Sequence, residues 1–487
     1  MAEFQRRMAK REQASRRRGG SRAAAPPGAM AEPGPPPSRA ALWPGGFVND
    51  DEHLVLLNPW LESFRSVAAI FGEDAWGFVP GPPIAEFYRP LMHLFYLVTY
   101  QLCGPRAWGF HLVNVLLHAA NTILVYLLAI RWVGGGVETE RTADRAAYLP
   151  GRWLPFVAAL LFGVHPVHTE AVAWIAALPE LAFSLFGLAA LYLHAAPGAA
   201  SPRRLGAAAA LFLLALLAKE TAITLLAIAV VQDRIVRRET GVLGFDGRRL
   251  MPFLGATGLY LLLRARVLTG DSIAASHSWN LDPAQWLLNV LALFADYLRL
   301  LLLPVDLLYW RPFRPLTSFA TAEGLIALLV ALGFTGAVVL AWRRSKLAVL
   351  ALAWIVAPLT PTFLLDRFPR TPFAERYLYL SVLGFALLVA MAWTAVARRR
   401  ALRGVAAVTL VAVTAAYATA TVARNQVWAD AYTLFMDSVR KAPDTCLLYT
   451  SDAADEEDSV DLGGRPRAGP CGPSLGDGRR VVDRRPL

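Results

Sequence analysis

The chain has 487 residues, of which 56% are hydrophobic and only 17% charged, with a mean hydropathy of +0.41. That balance excludes an ordinary soluble domain of this size. The formal charge of +11 does not make it a nucleic-acid binder, because the arginines gather in short sets between apolar runs, where the positive-inside effect puts them. Three cysteines, Cys103, Cys446 and Cys471, show no paired spacing and support neither a disulfide framework nor a zinc site.

Residues 1–46 are rich in Arg, Ala and Pro and hold no apolar run long enough to span a membrane or to form a signal-peptide core. They are expected to be a disordered basic segment or a misassigned start. A multi-pass membrane domain is expected over 47–424. Within it, apolar runs at 110–133, 251–268, 325–342, 377–396 and 405–422 approach or reach the roughly 18 to 20 residues that cross the hydrocarbon core as a helix. Further runs at 154–164, 178–194, 205–217, 221–231 and 347–364 complete an all-α, polytopic transmembrane bundle of about ten spans. Basic sets at 131–152, 203–204, 234–249, 343–346 and 398–403 are expected on the cytoplasmic side, which leaves the loops between them outside.

The apolar run at 287–303 carries Asp296 and Arg299, a pattern that suits an interfacial or buried helix better than a lipid-exposed span. Residues 425–444 show apolar positions at helical spacing followed by a Pro, as in the opening of a tetratricopeptide-like (TPR-like) helical repeat. From 445 to 487 the chain turns to an acidic run and then to Gly, Arg, Asp and Pro without periodicity. The string TCLLYTSDAADE resembles translated adapter read-through, so this tail is expected to be non-native and the repeats to continue beyond it. The heavy use of Ala, Arg, Gly and Pro points to a high-GC genome, hence a bacterial inner membrane before an endoplasmic reticulum.

Ionisable groups near membrane spans are costly to hold and are functional candidates by default. Asp50 and Asp51 stand in FVNDDEHLVLLNPWLE, where one carboxylate can serve as a general base while its neighbour raises its pKa; the competing reading is a helix N-terminus that favours acids. His165, His168 and Glu170 in HPVHTE form a polar set without metalloprotease spacing, and histidines bonded at a helix break explain it as well. Lys219 and Glu220 are either a mutually neutralising pair or a cation for a lipid phosphate with its orienting acid. Arg376, between Glu375 and a Tyr pair, presents a planar fork suited to phosphate, or else snorkels beside an aromatic belt. Arg89, Glu180 and Tyr88 complete the candidates.

NDDEHLVLLNP, YRPL, FHLVNVLLHAAN, HPVHTEAVAWIA, AKETAITL, LLLLPVDLLYW and FAERYLYL, in this order, resemble the transmembrane and tetratricopeptide repeat-containing protein family and its bacterial relatives. The resemblance spans roughly 47–444. It implies a GT-C-type bundle that transfers a mannose-like hexose from a polyprenyl-phosphate carrier to Ser or Thr hydroxyls of a protein acceptor outside the membrane. It makes Asp50 or Asp51 the catalytic acid position. Arg376 becomes the first choice for the leaving phosphate, with Lys219 and Arg89 behind it, and Glu220 and Glu375 as orienting neighbours.

The implied partners are the lipid-linked sugar, the protein acceptor and membrane lipids; no cofactor is implied, and no residue pattern supports a divalent metal. The family is also expected to have a span ahead of the acidic loop, which 1–46 does not supply. The competing readings are a repeat-displaying scaffold and a transporter, for which no internal duplication is found.

Overall fold

The computed structural model describes residues 45–80, 87–134, 152–196, 201–236, 247–268, 279–311, 313–365 and 372–442. The expectations for 1–44 and for 445–487 lie outside these residues. Every regular element among the described residues is a helix. In chain order the principal helices are α1 (Pro90–Cys103), α2 (Ala107–Gly134), α3 (Leu154–Val164), α4 (His168–Ala173), α5 (Leu178–His194), α6 (Pro202–Ala218) and α7 (Leu225–Val236). They continue with α8 (Gly247–Val267), α9 (Pro283–Leu302), α10 (Ala322–Arg344), α11 (Lys346–Val356), α12 (Ser381–Ala397), α13 (Arg403–Val427) and α14 (Ala431–Lys441).

The starts follow local chemistry. Proline occupies the first turn of α1, α3, α5, α6 and α9, where its missing N–H is no loss. Ser201, Thr321, Ser345 and Asp430 cap α6, α10, α11 and α14 through their side-chain oxygens, and Asp282 with Gln285 forms a capping box on α9.

Among the described residues, seven helical stretches are long and apolar enough to cross a membrane: Ala107–Gly134, Ile175–His194, Gly247–Val267, Pro283–Leu302, Ala322–Arg344, Lys346–Phe363 and Arg400–Val427. Two shorter apolar helices, Leu154–Val164 and Ser381–Ala397, are packed among them. This is an integral membrane protein, all-helical wherever it is described. The long apolar wall of α10 and α13, with Leu329, Leu332, Val408 and Val411 exposed, is the surface that lipid covers.

The bundle has two ends. Asp50, Arg89, Lys219 and Arg376 lie at one, here called the site end. At the other, Trp132 donates to Gln232 at 3.0 Å and His194 meets Asp233 at 3.0 Å, both inside the protein. The segment at 91–102 does not link the ends. α1 begins beside Arg89, which binds Glu220, and finishes beside Gln101, whose amide donates to Leu61 O at 2.7 Å within the same loop layer. Asp50 and Asp51 are therefore on the same end as every other site candidate.

α9, where an interfacial or buried helix is expected, is long and apolar enough to be a span, and it is tied to other segments near both of its ends. Near its start Asn289 exchanges two hydrogen bonds with the Leu316 backbone, and near its end Leu301 O accepts from His165 at 3.2 Å. Inside the bundle small residues let backbones approach. A Cβ on Gly384 of α12 would collide with Ala351 O of α11, so that crossing requires glycine.

FHLVNVLLHAAN acquires a structural meaning here. His111, Asn114, His118 and Asn121 alternate by three and four residues, so they form one polar stripe down the buried side of α2. Each one ties the backbone of a neighbouring segment. His111 donates to Gly46 O at 3.3 Å, Asn114 to Val172 O and Trp174 O at 3.2 and 3.0 Å, His118 to Gly163 O at 3.1 Å, and Asn121 to Leu181 O at 3.0 Å. In a lipid-surrounded bundle these bonds satisfy backbone carbonyls where helices break.

Candidate active site

The loop that carries the two aspartates is shaped by Asn49, whose φ of 51° places it in the left-handed region that Asn tolerates. Its amide donates to the Tyr309 hydroxyl. After that turn the neighbouring carboxylates face different surroundings. Asp51 is fully buried and accepts from the Val48 N–H at 3.0 Å and from the Ala176 N–H at 2.7 Å, so it staples its own loop to the one before α5. Burial pushes its carboxyl well above the usual carboxylate range against the pull of those two amides.

Asp50 instead lines a cavity of about 180 Å³. Burial pushes its carboxyl up to about 6, and the Arg376 charge draws it down.

Three cations share that cavity, each with its own acid. Arg376 gives its guanidinium to Glu170 Oε1 and its backbone N–H to Glu170 Oε2 at 2.9 Å, and lies 5.0 Å from the Trp174 ring and 4.8 Å from the Tyr377 ring. Lys219 pairs with Glu180 and sits 5.0 Å from the Tyr377 ring. Arg89 is bidentate on Glu220, at 3.0 Å from Nε and 2.5 Å from Nη2, and stands 4.1 Å over the Phe87 ring.

Each shift is a balance between burial and the opposing partner. Arg89 and Lys219 hold Glu220 near 2 against the effect of burial, whereas Lys219 is lowered, because burial outweighs Glu180. Among the described charged residues on the cavity wall, Arg89, Lys219 and Arg376 face Asp50, Glu180 and Glu220, three of each sign.

Lys219 and Glu220 are thus not a pair with each other. The 3₁₀ turn Glu220–Thr224 directs adjacent side chains to different partners, one on α5 and one ahead of α1. Glu375 leaves the site altogether: its carboxylate takes the Leu308 N–H and lies 3.9 Å from Arg424 of α13, and burial pushes it up to about 7.

His165 and His168 are also outside the cavity. They are buried and bonded to Leu301 O and Tyr379 O at 3.2 and 3.1 Å, and burial drives His165 down to about 4 and lowers His168 well below its ordinary value. Glu170, their neighbour in HPVHTE, holds Arg376. No group of three His, Cys, Asp or Glu side chains that could hold a metal occurs among the described residues.

Sequence reasoning had no signal for Trp174 or Tyr309. Trp174 backs Arg376 on one side and on the other meets Trp428, at 6.1 Å between rings, where α13 gives way to α14. Tyr309 closes that cluster, 5.5 Å edge-on to Trp428.

Fold and site together define an integral membrane protein whose site end holds a polar, charge-balanced cavity with one raised carboxyl. The chain is similar to proteins named protein O-mannosyl-transferases. One from Caenorhabditis elegans is 28% identical over 358 residues, covering 71% of this chain and 48% of the relative. Tmtc2 of Drosophila melanogaster is 34% identical over 287 residues, covering 53% and 27%, and TMTC3 of Homo sapiens is 25% identical over 456 residues, covering 83% and 46%. The chain spans about half the length, or less, of these relatives. No family model matches the chain, and no solved structure does.

Proposed function

We propose that the chain is the membrane domain of a protein O-glycosyltransferase that moves a mannose-like hexose from a polyprenyl-phosphate carrier to Ser or Thr hydroxyls on the extracytoplasmic side. The observation that carries this reading is that Asp50 and Arg376 line one cavity, with Lys219 and Arg89 on the same wall. The names of the relatives support the sugar and the protein acceptor. The Ala-, Arg-, Gly- and Pro-rich composition supports a bacterial inner membrane.

Asp50, as a carboxylate, takes the proton of the acceptor hydroxyl while that oxygen attacks the anomeric carbon. The bond from that carbon to the carrier phosphate breaks, and its electron pair leaves with the phosphate. One displacement inverts the anomeric centre. Negative charge grows on the departing phosphate, where Arg376 supplies planar donors already oriented by Glu170. The topology that fits has about ten crossings, with α1 and α9 along the site end and α14 opening a TPR-like repeat.

The test is sugar transfer from a radiolabelled polyprenyl-phosphate hexose to an acceptor peptide. Asp50→Asn is expected to abolish transfer in a protein that remains folded. Transfer by Asp50→Asn at the wild-type rate would remove Asp50 from the mechanism, and no transfer by the wild-type protein would leave a scaffold that displays repeats.

A further inference from the structure

A second cavity, of about 570 Å³, opens on the flank of the molecule between α9, the loop after it and the start of α10. Its charged lining among the described residues is Arg299, Arg311, Arg314 and Lys441 against Asp296 and Glu323, four cations to two acids. Lys441 already pairs with Asp437 at 2.9 Å, so the difference from the first cavity lies in the three arginines.

Arg299 has Asp296 only at 3.8 Å, with both side chains substantially exposed. Arg311 spends one N–H on Asp306 O at 3.2 Å and lies over the Phe373 ring at 4.8 Å, while its Nε is buried without a hydrogen-bond partner. Burial first, and then the charge of Arg299, lower its guanidinium below the usual value. Arg314 is exposed on the rim.

The floor is of the opposite character. Ile326, which is exposed, and Ala327 belong to α10, an apolar helix of which only 17% of the spanning window is buried. A cationic cup therefore sits directly at the head of a lipid-facing apolar wall.

We propose that this cavity binds the headgroup phosphate of an anionic phospholipid, with Arg311 and Arg314 as its main donors and the acyl chains lying along α10. The excess positive charge gives the complementarity for the phosphate, and arginine forks supply its planar recognition. The apolar wall selects a lipid over a free anion, since a soluble phosphate gains nothing from it. The site would anchor the α9–α10 edge of the bundle to the membrane surface beside α14, through Lys441.

The experiment is native mass spectrometry of the full chain in neutral detergent, titrated with dioleoyl phosphatidylglycerol, dioleoyl phosphatidylcholine or inorganic phosphate. Phosphatidylglycerol is expected to bind at least tenfold more tightly than phosphatidylcholine, and inorganic phosphate at millimolar concentration to leave the adduct in place. Arg311→Gln combined with Arg314→Gln should cut the phosphatidylglycerol preference at least fivefold, and Glu323→Gln should strengthen it.

Because Arg314 is exposed, Arg314→Gln alone tests the site without disturbing packing, with an expected loss of about threefold. Equal affinity for both lipids, an unchanged preference in the Arg314 variant, or displacement by inorganic phosphate would each overturn the proposal. No sugar transfer is measured, so the outcome is independent of the catalytic reading.

Discussion

Arg376 presents both its backbone N–H and its guanidinium to the single carboxylate of Glu170, across 206 residues of sequence. A carboxylate held by two donors of the same residue fixes the direction of that side chain, so the charge is placed before any ligand arrives.

Disturbing that placement is expected to act on donor binding before it acts on folding. Glu170→Gln keeps the shape but weakens both bonds, and the KM for the lipid-linked sugar should rise about tenfold, which corresponds to about 1.4 kcal/mol, with a smaller change in kcat. Steady-state kinetics with varied donor checks this, and an unchanged KM would assign the phosphate to Lys219 or Arg89.

The two aspartates should separate cleanly. Asp51→Ala leaves the buried N–H of Val48 and the half-buried N–H of Ala176 without an acceptor, at a cost of roughly 2–4 kcal/mol. Its thermal midpoint should drop by several degrees. Asp50→Asn should keep the wild-type midpoint and lose transfer. Equal destabilisation by the two changes would mean that both carboxylates are structural.

Transfer should fade on the acid side. The active form of Asp50 is the carboxylate, so kcat/KM should fall tenfold per pH unit below about 6, the value to which burial pushes it. The stability effect has the opposite sign. The folded value exceeds the ordinary 3.8, so the native state binds the extra proton, and the unfavourable contribution of Asp50 shrinks as pH falls through 6 toward 4. A pH–rate profile of wild type and Asp50→Glu, with thermal melts over the same range, reads both.

Trp428 connects the end of the bundle to the site. It is 1% exposed and packs against Trp174 and Tyr309, and Leu434 of α14 completes the same small cluster. Trp428→Ala should cost about 3–5 kcal/mol locally and release α14, seen as faster proteolysis within 431–441. Donor KM should also rise, since Trp174 backs Arg376; an unchanged KM with a released α14 would show that the aromatic cluster is only a fastener.

The two ends of the bundle are expected on opposite sides of the membrane. In a background lacking Cys103, Cys446 and Cys471, Arg65→Cys at the site end and Arg400→Cys at the other should react with an impermeant maleimide from opposite faces of sealed vesicles. Labelling of both from one face would overturn the topology.

Much of this molecule was legible in its residues. Helices occupy the apolar runs because a chain in hydrocarbon must satisfy its backbone internally, and run length alone then selects the helix. The candidate ionisable groups could be named because charges near lipid are expensive.

Their partners could not be read. Nothing in the local sequence says that Lys219 turns to Glu180 while its neighbour Glu220 turns to Arg89, or that Glu375 faces Arg424 and not the cavity beside Arg376. Those choices depend on how segments from 39 to 131 residues apart stack at the site end. The difference between Asp50 and Asp51 is of the same kind. Composition and periodicity made them equal; the left-handed turn at Asn49 and the distant Ala176 N–H made one a staple and left the other facing the cavity.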